Sequence, residues 1–225
     1  MDANKLLSQA IDLLLDKIGS DEKLTKVLLE FIESRTDEER SWHIEKELLH
    51  FAKNLLKEDN FVHLKKIKEL SLDDFFEIRN KLVKEIGLFE KKVVEISEKG
   101  FQSVSAINSS AFYQGERGIY GYFKNLSKGK MDKILPNSYV LATVNDDKWV
   151  SSKAGAGEKN EIEKIKSDLL TLYDELLVLI SSSHADHVLF NLIYKNIYSL
   201  AVLNEIGKTL NELKKRGFKL AVISG

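Results

Sequence analysis

The residue types best suited to chemistry gather between positions 113 and 133. There Tyr113, Tyr120, Tyr122 and Phe123 lead into Lys124, Lys128, Lys130 and Lys133, with Asp132 the one acid from Lys124 to Lys133. Lysines meet phosphates, and neighbouring rings stack on bases or pack against sugars, so the pattern suits a nucleic-acid backbone. The competing reading makes Tyr122 and Phe123 core anchors and the lysines a solvated loop. On the first reading the DNA-binding candidates are Lys124, Lys128, Lys130, Lys133 and Tyr122.

Other groupings carry less. Gly155-Ala-Gly157-Glu-Lys159 and Gly115-Glu-Arg-Gly118-Ile-Tyr-Gly121 are glycine-rich, but neither has a phosphate-loop spacing or follows an expected strand, so both read as flexible loop. His184-Ala-Asp-His187 offers two imidazoles and a carboxylate, yet an i, i+3 pair without further ligands makes a poor zinc site. His43, His50 and His63 lie on other expected helices. The tetrapeptide reads instead as a helix N-terminus capped by Ser183 or Asp186. The paired carboxylates Asp73-Asp74, Asp146-Asp147 and Glu38-Glu39 are sequence neighbours, whereas an acid/base pair faces itself across a cleft. No catalytic, cofactor-binding or metal-binding residue is assigned.

The elements that must position these residues are helices. In residues 5–68, Leu24, Val27, Leu28, Phe31 and Ile32 repeat at helical spacing behind Ser20 or Asp21 as N-cap. A second helix is expected over 71–100, capped by Ser71, with Asp73 and Asp74 in its first turn and Gly100 at its close. Its residues Leu82, Ile86, Phe89, Val93 and Ile96 step by four and three. Ile162, Ile165, Leu169, Leu172, Leu176 and Leu179 do the same in 161–180. Two such seams predict an antiparallel, coiled-coil-like arm. A last helix is expected over about 186–215, its stripe formed by Leu203, Ile206, Leu210 and Leu213. Residues 101–160 hold Pro136 and several glycines and read as loop with short helices.

Composition narrows the classes. With 34 Lys+Arg against 35 Asp+Glu, a net charge of −1 excludes a globally basic nucleic-acid or membrane binder, so any polyanion site is local. The 225 residues include no cysteine, which excludes disulfides and thiolate metal sites and fits a reducing compartment. The N-terminus lacks the pattern of a signal peptide, and no stretch reads as a membrane span. The expected location is cytoplasmic.

The chain ends on Lys219-Leu-Ala-Val-Ile-Ser-Gly225, which reads as a buried strand with no partner strand of comparable strength. Together with Leu13-Leu-Leu-Asp-Lys-Ile-Gly19, Ser41-Trp-His-Ile-Glu-Lys-Glu-Leu48, Tyr122-Phe-Lys-Asn-Leu126 and Leu200-Ala-Val-Leu-Asn-Glu-Ile206, it resembles the inserted region, subdomain 1B-like, of UvrD/RecB-like DNA helicases and AddA-type exodeoxyribonuclease subunits. The resemblance spans essentially the whole chain. It implies a mainly α, elongated domain: a helical part over 1–70, an arm over 71–217 with loop-rich insertion 101–160, and a truncated strand of the parent motor domain over 218–225. It also implies a parent enzyme of DNA repair that uses ATP and Mg, and weak, sequence-independent contact with DNA. Gly225 departs from the acidic residue expected next in that family. The rival class is a helical interaction scaffold completed by a partner helix.

Overall fold

The computed structural model describes residues 3–33 and 44–216. Within them the chain is mainly helical and no strand is present. The terminal strand expected over 218–224, the Ser41-Trp-His43 part of the family-like segment and Glu38-Glu39 lie outside the described residues. Two compact units divide the chain, Met1–Leu82 with Leu192–Gly225, and Val83–Asn191. The division is thus not linear, because the end of the chain belongs with its beginning.

In the first unit, α1 (Ala3–Leu15) buries Leu6, Leu7, Ala10, Ile11 and Leu14. The helix α2 (Glu22–Glu33) opens on Asp21, whose carboxylate accepts from the Leu24 N–H at 3.0 Å, as an N-cap does. It buries Leu24, Val27, Leu28 and Phe31, the stripe expected from spacing. The helices α3 (Ile44–Ala52) and α4 (Glu58–Ile67) flank a short 3-10 turn, Lys53–Leu56. Leu48 and Ala52 of α3 join a core completed by Ile197, Ala201, Val202, Ile206 and Leu210. Two polar residues nearby share one acceptor: Asn204 Nδ2 donates to the Leu70 carbonyl at 2.9 Å and Lys208 Nζ at 2.6 Å. A partly buried carbonyl at a chain turn is thereby satisfied.

The long helix α5 (Leu72–Ser105) begins with a reciprocal cap. Ser71 Oγ accepts from the Asp74 N–H at 3.2 Å, and the Asp74 carboxylate accepts from the Ser71 N–H at 2.7 Å, a capping box with aspartate at its third position. The helix does not stop at Gly100 as expected but continues to Ser105. The glycine answers a packing demand instead: a Cβ there would lie 2.3 Å from the Phe123 ring.

Between α5 and the last helix come short 3-10 turns and the helices α6 (Ile119–Leu126) and α7 (Ser138–Asn145), and an antiparallel bridge pairs Phe112 before them with Val150 after them. That is the loop with short helices expected of 101–160. The glycines of 115–121 are not slack. A Cβ on Gly121 would lie 1.8 Å from the Glu116 carbonyl, so backbone approaches backbone where no side chain fits.

The final helix, α8 (Ala156–Lys215), is continuous over 60 residues. The expected N-terminus near Ser183 and Asp186 is therefore corrected. Ser181 and Ser182 turn their hydroxyls back to the Val178 and Leu179 carbonyls at 2.9 and 3.1 Å, which serine does inside a helix as readily as it caps one. In the second unit Ile162, Leu169, Tyr173 and Leu176 of α8 share a core with Phe89, Val93 and Ile96 of α5. One stretch of 18 residues in α8 has a mean hydropathy of 1.4 and is 11% buried, so by length and composition alone it could cross a membrane. That stretch runs against the expectation that no segment reads as a span.

Candidate nucleic-acid interface

The segment bearing the lysines is built from the core outward. The helix α6 buries Ile119, Tyr122, Phe123 and Leu126. Tyr122 is 5% exposed and donates its hydroxyl to the Ile134 carbonyl at 2.9 Å. Burial pushes that hydroxyl well above the usual tyrosine range because the phenolate would be stranded in an apolar site. Of the two readings of this ring, the geometry fits the core anchor, and no ring face is left open for a base.

After Leu126 the chain turns through Gly129 at φ 71°. The Gly129 N–H donates to Leu126 O at 2.9 Å and the Lys130 N–H to Asn125 O at 3.1 Å. This pairing is the Schellman motif, which ends a helix and satisfies its last carbonyls. Its consequence is that Lys128 and Lys130, on either side of the glycine, are both exposed. Neither has an acidic partner within 4 Å among the described residues.

The other two lysines are partly spent. Lys124 Nζ lies 2.7 Å from Glu116 Oε1 and 5.8 Å from the centre of the Tyr120 ring, and the hydrogen bond to Glu116 raises its pKa. Lys133 lies 3.2 Å from Asp132. The Lys133 pair is exposed and the Lys124 pair partly so, and ion pairs screened by solvent contribute little, so a phosphate can replace either acid.

His187, read from sequence at a helix start, sits mid-helix and is buried. Its Nε2 is 3.0 Å from Glu90 Oε1, and its ring lies 4.5 Å from Phe89. The Asn191 amide donates to the His187 carbonyl at 3.0 Å and lies 3.1 Å from the same Nε2. Among the described residues no group of three or more histidine, aspartate or glutamate side chains is placed to hold a metal.

The sequence reading missed a different cluster in the same unit. Arg117 lies 5.2 Å over the Tyr139 ring, and Tyr113 meets Tyr139 edge-on at 6.5 Å. Tyr113 had been grouped with the lysines that follow it. Its actual neighbours come from positions 139 and 149, brought to it by the Phe112 to Val150 bridge and by the Asn137 amide, which donates to Arg117 O at 3.0 Å. No family model, curated protein or solved structure matches the chain.

Proposed function

We propose that this chain is an accessory DNA-contacting domain of an ATP-dependent DNA helicase or helicase-nuclease, with no active site of its own. The observation that carries this reading is the Lys128-Gly129-Lys130 turn, whose two exposed lysines stand on a helix end pinned by Tyr122. Cations fixed by a buried anchor can meet a phosphate backbone without reading sequence, as a translocating motor requires. On this reading the parts of α5 and α8 within the second unit form an antiparallel arm, and the contact of Glu90 with His187 supports it. ATP and Mg belong to the parent motor. Its place is the cytoplasm.

A membrane role has less support, since in the second unit α5 packs against α8 and carries Lys84, Glu85, Glu90, Lys91, Lys92 and Glu95, and several charges in hydrocarbon are costly. A second reading, an interaction scaffold, is favoured by one observation. Val178, Val188 and Leu189 of α8 are 68, 53 and 49% exposed, an apolar face that a partner helix could cover. Titration of duplex DNA against the chain, at several salt concentrations, separates the two.

A further inference from the structure

A groove of about 750 Å³ in the second unit is lined by Tyr113, Arg117, Lys148, Trp149, Lys153 and Lys166 among others. Two chain segments form most of it, tied where the Tyr113 N–H donates to Trp149 O at 2.9 Å and the Ser151 N–H to Ala111 O at 2.8 Å. Each segment holds a non-glycine residue in the left-handed region, Gln114 and Asp147, both at φ 57°. Both line the groove. Residues other than glycine adopt that conformation only where their surroundings impose it.

The cations of the groove are unequally committed. Lys166 lies 2.5 Å from Asp147 and 3.8 Å from Glu163, and Lys148 lies 3.0 Å from Asp146. Arg117 and Lys153 have no carboxylate partner among the described residues. The Arg117 guanidinium bonds Gln114 Oε1 at 2.7 Å and stacks on Tyr139. Tyr113, half-buried, lines the groove beside the uncommitted charge, and Tyr139 backs Arg117 from outside the lining.

Rings next to cations along one groove are the two parts that hold an unpaired strand, ring faces for bases and charges for the phosphodiesters between them. We propose that this groove binds single-stranded nucleic acid. A duplex keeps its bases stacked on one another and offers Tyr113 nothing, so the groove prefers the single strand. The proposal rests on residues other than Lys124, Lys128, Lys130 and Lys133, and either site can fail without the other.

The test is fluorescence anisotropy on the full chain with labelled (dT) and (rU) oligomers of about 12 nucleotides, in about 50 mM salt. Saturable binding of either strand is expected. Arg117→Gln with Lys153→Gln should weaken it about tenfold and flatten the log–log salt slope by about 1.4. Tyr113→Leu should weaken it about fivefold with the slope unchanged. Lys128→Ala with Lys130→Ala should alter it less than about twofold. Lys153 is exposed in a loop, so Lys153→Gln alone serves should the double variant lose its circular dichroism. Absence of saturable binding to both strands, or equal binding by folded parent and Lys153→Gln chains, overturns the proposal.

Discussion

The Tyr122 hydroxyl donates to the Ile134 carbonyl at 2.9 Å and so closes the stretch of chain carrying Lys124, Lys128, Lys130 and Lys133 against the core of the second unit. Tyr122→Phe keeps the ring and leaves that carbonyl without its partner. We expect a loss of about 1 kcal/mol in urea unfolding and no loss of intrinsic DNA affinity. A variant of unchanged stability and clearly weaker binding would make the tyrosine a DNA contact after all.

Two glycines of α5 give opposite predictions. At Gly100 a Cβ would lie 2.3 Å from the Phe123 ring, while at Gly87 it would meet nothing within 4 Å. Gly100→Ala should therefore destabilise by about 1–3 kcal/mol through overpacking. Gly87→Ala should stabilise by about 0.5–1 kcal/mol by the helix preference of alanine. Thermal melts of the pair check both signs, and equal shifts would dissolve the packing argument for Gly100.

Leu169 is 0% exposed and Val178 68%, although both belong to α8. Leu169→Ala should cost about 2–5 kcal/mol, and Val178→Ala should stay within about 0.5 kcal/mol. A large loss at Val178 that grows with protein concentration would mean that its face is covered by a second chain, as the scaffold reading requires.

The Asp74 carboxyl is held below its usual range, first by the Ser71 hydroxyl and then by the Ser71 backbone N–H. Because the folded value lies below the unfolded one, the stabilisation is present above about pH 3.9 and is lost as pH falls through the folded value. The stability difference between parent and Asp74→Asn should be full at neutral pH and shrink below about pH 4. Urea midpoints across that range check it, and a difference constant with pH would contradict it.

Where the information is local, the sequence carries it. Asp21, Ser71 and the stripe Leu203, Ile206, Leu210 and Leu213 are buried or capped as their spacing predicts. Three residues resisted for one reason, that their partners are distant. Gly100 reads as a helix end until Phe123 is seen on it. His187 reads as part of a helix start, whereas Glu90, 97 residues away, meets its ring mid-helix. Leu172 reads as a seam position, but Tyr173 takes the fully buried place and reaches the Tyr122 ring at 6.2 Å. The tyrosine groove is the extreme case, because it comes into being only where residues 110–117 meet 147–153.

Duplex DNA binding as a function of salt tests the proposed role most directly. Lys128 and Lys130 are uncommitted, while Lys124 and Lys133 are held by Glu116 and Asp132. If the exposed two alone neutralise phosphates, log K against log salt should fall with a slope of about −1.8, and if all four do, with a slope of about −3.6. Lys128→Ala should reduce the slope by about 0.9 and weaken unrelated duplex sequences alike. A chain with all four lysines replaced by alanine, folded by circular dichroism, should lose the binding. The same affinity and slope in that variant as in the parent would contradict a DNA-contacting role for this turn.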